Sequence, residues 1–187
     1  GQLTWRPGDA RVSANELDRW ILSDLQALLA KVQTEMESYR LYNVVPELVR
    51  FVDDLTNWYI RRSRRRFWKS EDDGDKNDAY ATLYAVLVDF SKALAPFLPF
   101  LAEEIYQILA REISVEGAQH AAPARPVSVH HCDFPVFNPA LHDDALNAKM
   151  DLVREAVEMG RALRAERNIK NRQPLRRLRV VARTEAA

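Results

Sequence analysis

Arg61, Arg62, Arg64, Arg65 and Arg66 follow one another almost without a break, with Trp58, Phe67, Trp68 and Lys69 beside them. Guanidinium groups match phosphate oxygens in bidentate geometry, and flat aromatic rings among them can stack on unpaired bases. The chemistry these residues could do is recognition of a polyanion, with nucleic acid the first candidate. Packing them together costs roughly 0.2–0.5 kcal/mol per like-charged helical pair, which a negative partner would reverse. A second reading leaves them as a basic patch at a helix end, paired with Glu71, Asp72 and Asp73 just downstream. At about 100° per residue these arginines are expected to point nearly all round a helix rather than share one solvated stripe. A second basic series, Arg154, Arg161, Arg164 and Arg167, is continued by Lys170 and Arg172. Its alternative is a solvated face balanced by Glu155, Glu158 and Glu166.

Catalytic chemistry finds little to work with. His130, His131 and Cys132 are adjacent, with His120 and His142 further off. Adjacent residues rarely reach one ion together, and structural zinc favours paired cysteines, so the histidines are assigned to exposed loops and no metal site is expected. Asp53–Asp54 and Glu103–Glu104 point to different sides of a helix, a poor arrangement for paired acid/base work. No nucleophile, base and orienter assemble, and neither catalytic residues nor a cofactor site is expected in this chain.

The elements that must position the arginine cluster read as helices. Val45, Val49, Val52, Leu55 and Tyr59 recur at helical spacing, predicting a helix buried along that face and running to Lys69. Asn43 is its expected cap, with Pro46 in its first turn. Ahead of it, Ser13-Ala-Asn-Glu16 has capping-box spacing. Leu17, Ile21, Leu25, Leu28, Leu29, Val32 and Met36 then give a face to about Tyr39, which Trp20 and Tyr42 would broaden or edge. Asp75 or Asn77 is expected to cap a third helix carrying Leu83, Val86, Leu87, Phe90 and Leu94. The prolines of Ala95–Phe100 end it, and Pro99 opens a fourth, with Leu101, Ile105, Ile108 and Leu109 inward. The expected fold is all-α, an antiparallel helix bundle, with any strand short and confined to 127–133 or 176–182. Asn138–Pro139 opens a further helix to about Glu166, with Leu146, Met150, Val153, Val157 and Leu163 inward. Gly160 within it signals close approach of another backbone or a tolerated weak point. The expected order is an irregular lead-in at 1–14, the bundle at 15–112, a linker at 113–137, and the further helix with a junction region at 138–187.

The 27 basic and 27 acidic residues cancel, so any affinity for nucleic acid must come from their distribution. A single cysteine allows no internal disulfide and fits a reducing compartment. No run of about eighteen apolar residues and no signal peptide is present, so a soluble, cytoplasmic protein without a membrane partner is expected. Gly1 and the aperiodic opening suggest a piece of a longer chain.

Leu17-Asp-Arg-Trp-Ile-Leu-Ser23, Tyr39-Arg40, Phe51-Val-Asp-Asp-Leu-Thr-Asn-Trp-Tyr59 and Leu94-Ala-Pro-Phe-Leu-Pro-Phe100 occur in this order. Together they resemble the helical anticodon-binding domain of the class I aminoacyl-tRNA synthetases for isoleucine, valine and leucine. Leu55–Trp68, LTNWYIRRSRRRFW, is similar to the isoleucine branch, as are Gly160-Arg-Ala-Leu-Arg164 and Ile169-Lys-Asn-Arg-Gln-Pro-Leu175. Asn171 departs from the apolar residue expected in that last motif. The signature motifs of the synthetase catalytic domain are absent. The resemblance implies a domain that docks on the anticodon stem and loop of isoleucine tRNA, within a parent ATP- and Mg-dependent isoleucine–tRNA ligase whose catalytic domain, absent here, would be its covalent partner. On their chemistry, Arg61, Arg62, Arg64, Arg65, Arg66 and Lys69 are expected to contact the tRNA backbone and Trp68 to stack on a base, with Arg161, Arg164, Arg167, Lys170 and Arg172 a second surface. The competing readings are an arginine-rich helical protein-interaction module, or the corresponding domain of a valine or leucine enzyme.

Overall fold

A computed structural model describes residues 13–69, 73–111 and 126–181. Helix α1 (Glu16–Glu37) is capped two residues later than expected. The Asn15 side chain accepts the Leu17 N–H at 2.9 Å. Ser13 Oγ accepts from the Asn15 N–H and donates to Asp18 at 2.6 Å. Ile21, Leu25, Leu28, Leu29 and Val32 are buried as expected, and of the two flanking aromatics Trp20, 2% exposed, broadens the buried face while Tyr42 is exposed. Tyr39 ends the helix with φ 57°. Arg40 N–H bonds Glu35 O at 2.8 Å and Tyr39 N–H bonds Met36 O at 3.0 Å. These are the paired bonds of a Schellman turn, and they send the chain back along α1.

The returning rod is α2 (Leu41–Asp53), a π-helical segment (Asp54–Ile60) and α3 (Arg61–Lys69). It begins at Leu41, so Asn43 is no cap; its amide donates to Glu35 at 2.8 Å instead, and Pro46 lies inside the helix. Val45, Val49 and Val52 are exposed, against expectation, while Val44, Leu48 and Phe51 are buried. Both sets have helical spacing, and the face toward α1 lies one residue away from the expected one. Pairings of Lys31 with Glu47, Asp24 with Arg50 and Asp18 with Tyr59 run in opposite senses along the two chains, so α1 and the rod are antiparallel.

Helix α4 (Asp73–Leu94) packs antiparallel to the rod, with ring centroids 5.1 Å apart for both Phe67–Tyr80 and Phe51–Phe90. Neither Asp75 nor Asn77 caps it, since both lie within the helix. Val86, Phe90 and Leu94 are buried, and Leu83 and Leu87 half-buried. Helix α5 (Pro99–Arg111) starts at Pro99 as expected. It buries Ala102 and Tyr106 and leaves Leu101 and Ile108 exposed. Glu103 fixes the 3-10 turn Val129–His131, its Oε2 accepting from Ser128 Oγ at 2.9 Å and Val129 N–H at 2.8 Å. Residues 112–125, most of the expected linker, lie outside the described residues. Among the described residues there is no strand.

The chain divides into two compact units, the second beginning at Asp144. Asn138 caps only the single turn Pro139–Leu141. That turn belongs to the first unit: Asn138 N–H bonds Gln26 Oε1 at 2.7 Å and Asp143 N–H bonds Ser23 Oγ at 2.8 Å. In the second unit α6 (Asp144–Glu166) buries no residue. Val153 and Leu163, expected inward, are exposed, and Leu146, Met150 and Val157 are half-buried. A Cβ on Gly160 would meet nothing within 4 Å, so among the described residues no backbone approaches it, which leaves the weak-point reading.

Candidate nucleic-acid interface

The arginine cluster is aimed by an irregularity in the rod. The buried stripe Phe51, Leu55, Tyr59, Ser63, Phe67 advances four residues at every step. In an α-helix each such step overshoots a turn by about 40°, so the stripe would wind away from the core. The π segment takes up this excess, its wider turn closed by the Arg61 N–H on Thr56 O.

Arg61, Arg62, Arg64, Arg65 and Trp68 consequently lie outward, opposite Ser63 and Phe67. At helical spacing they span an arc of about 160°. The five arginines do not all share one face, as expected, but four of them do, and none of those four pairs with a carboxylate among the described residues. Arg62 lies over the Trp58 ring at 4.4 Å, and Arg64 lies 5.6 Å from the Trp68 ring. Trp68 is 73% exposed, so it is a surface ring and not a core one. Glu71, Asp72, and the side chains of Lys69 and Asp73 lie outside the described residues.

Arg66 departs from its neighbours. Its Nη1 and Nη2 donate to the two oxygens of Asp18 at 2.7 and 2.8 Å, and its Nε reaches both oxygens of Asp75 at 2.9 Å. Nη2 also donates to Asp75 O at 3.2 Å. Burial opposes its charge, but hydrogen bonds and charge from Asp18 and Asp75 outweigh this and raise its pKa above the ordinary guanidinium value. The assignment of Arg66 to phosphate contact is corrected on this ground, because its donors are already engaged. Asp18 has no exposure and also accepts from Ser13 and, at 2.8 Å, from Tyr59. Burial, and then the Asp18 charge, push the Tyr59 hydroxyl well above the usual phenol range, so it remains a donor. Sequence reasoning missed this network. Its signal was present: Asp18 lies three and seven residues before Ile21 and Leu25, on the apolar stripe itself.

In the second series Arg161, Arg167, Lys170 and Arg172 are exposed. Arg164 is engaged internally, its Nη1 donating to Lys170 O at 3.0 Å and Gln173 O at 2.9 Å across the turn after α6. That turn passes through Asn168, φ 54°. Arg154 contacts Asp151 at 3.4 Å. Among the described residues no group of three His, Cys, Asp or Glu side chains could hold a metal, and no helix is long and apolar enough to cross a membrane.

The sequence that builds this bundle matches a family described as the anticodon-binding domain of tRNA ligase. The model of that family matches residues 18–181, and the chain belongs to it. Among individual proteins, it is 48% identical over 172 residues to the isoleucine–tRNA ligase of Chlamydia trachomatis, covering 91% of this chain and 15% of that protein. It is 46% identical over 167 residues to the isoleucine–tRNA ligase of Treponema denticola, covering 89% of this chain and 14% of that protein. The chain thus spans about 15% of the length of the curated relatives it matches.

Proposed function

We propose that this chain is the tRNA-recognising part of an isoleucine–tRNA ligase and docks along the anticodon stem and loop of isoleucine tRNA. The observation that carries this is the outward face of α3, where Arg61, Arg62, Arg64 and Arg65 stand beside the exposed Trp68 without carboxylate partners among the described residues. Arginines there would hold backbone phosphates and set register, while Trp68 would receive a splayed loop base. Arg161, Arg167, Lys170 and Arg172 offer a second surface of the same chemistry. Identity of 46–48% to isoleucine enzymes favours isoleucine over valine or leucine. ATP, Mg and isoleucine would be handled by the catalytic part of such a ligase, in the cytoplasm. By itself the chain should give no isoleucine-dependent ATP–pyrophosphate exchange.

The test is binding of the chain to isoleucine tRNA and to a non-cognate tRNA at several salt concentrations. A steep fall of affinity with salt is expected. Salt-insensitive binding would favour a second reading, a protein-contact module, which the exposed Tyr42, Val45, Val49 and Val52 of α2 support.

A further inference from the structure

We infer that the buried Asp18–Arg66 clamp is a positioning device for RNA binding: it fixes the rotation of α3 so that Arg61, Arg62, Arg64 and Arg65 face outward together. This rests on the tRNA-binding reading above. Arg66 is here a positioning residue that does not itself touch the RNA.

Without such a hold, α3 has an alternative register. If the π turn relaxed to an α-helical one, the buried series Phe51, Leu55, Trp58 would continue through Arg62 and Arg66. Ser63 and Phe67 would leave the core. One residue of register would roll α3 by about 100° and carry Arg62 from the outward face into the core beside Arg66. Among the described side chains of α3, hydrophobic burial resists that roll only through Phe67. Arg66 adds a directional hold, since a planar fork bound to two carboxylates tolerates little rotation. The other end of the π segment is held in the same way. Arg50 bridges Asp24 of α1 at 3.0 Å, Glu47 at 3.0 Å and Asp54 at 2.6 Å. Two arginines thus bracket the irregular turn, and each is tied to a carboxylate of α1.

The experiment compares the wild-type chain with Asp18→Asn and Arg66→Lys well below their melting temperatures. Both variants are expected to speed hydrogen exchange of amides 61–69 while leaving those of 21–32 and 44–51 protected. Both should weaken tRNA binding, with the slope of log affinity against log salt shallower by about 0.7–0.9 for each phosphate no longer neutralised. Asp18 has no exposure and the Arg66 donors are engaged by Asp18 and Asp75, so a change of slope is not the loss of a direct contact. A melting temperature that falls while affinity and slope stay at wild-type values overturns the proposal and leaves the clamp purely structural. If the wild-type chain shows no salt-dependent binding, the RNA reading itself fails, and this proposal with it. Should Asp18→Asn not fold, Arg66→Lys carries the same comparison, because it keeps the charge and loses only the fork.

Discussion

Arg65 and Arg66 are adjacent, alike in type and opposite in duty. Truncating Arg66 strands the Asp18 charge in a site without exposure, and breaking a buried pair from one side costs about 3–5 kcal/mol. Arg65 is exposed and has no carboxylate partner among the described residues, so Arg65→Ala should change stability by no more than about 0.5 kcal/mol. Urea unfolding of the two variants checks this, and equal losses would contradict the division of labour. Trp68→Ala belongs with Arg65: at 73% exposure it should leave stability within about 0.5 kcal/mol and show its effect only on RNA. Some of this was legible beforehand. A carboxylate on an apolar stripe announces an internal cation, because a buried charge must be paired. Which of five arginines answers it was not legible, since that depends on a register set by the π turn.

At the level of elements, helix positions followed from spacing, proline and length, while faces were harder to assign. Val44–Val45 and Leu101–Ala102 each offer two residues at acceptable spacing, and only the neighbouring helix decides between them. The π segment did leave a trace, in the unbroken steps of four from Phe51 to Phe67. It is a trace of packing, invisible until the buried set is known. Gly160, with open space around its missing Cβ, should be replaceable by Ala with a gain of about 0.8–1.0 kcal/mol in thermal melts. Glu103 ties α5 to the turn at Val129. Burial alone would raise its pKa, but hydrogen bonds from Gln107, the Val129 N–H and Ser128 hold it below the ordinary carboxylate value. Its contribution is therefore complete above the free-carboxylate value of about 4.3 and is lost as pH falls through the lower folded value. The stability advantage of wild type over Glu103→Gln should shrink between about pH 6 and pH 3. An advantage that grows over that range would refute the assignment.

For the molecule as a whole, balanced charge means that, on the proposed reading, attraction to RNA would have to be local. Screening over about 10 Å at 0.1 M salt would confine it further, to the α3 face and the α6 end. Replacing Arg62 and Arg65 together by Gln, a good helix former, should weaken cognate and non-cognate tRNA about equally, because phosphate contacts carry no sequence information. Titrations of both tRNAs against salt measure this; weakening confined to the cognate tRNA would move these arginines onto bases. The reach of the clamp also has a kinetic side. Lys31–Glu47 and Asp24–Arg50 close 16 and 26 residues of chain, whereas Asp18 and Arg66 stand 48 apart. Closure entropy rises with loop length, so the hairpin contacts are expected first and the clamp after α1 and α2 have zipped. An interaction made after the transition state leaves the folding rate alone and lowers the unfolding rate. Arg66→Lys is therefore expected to speed unfolding and leave folding unchanged in stopped-flow measurements, so that the buried ion pair acts on how long the bundle stays assembled.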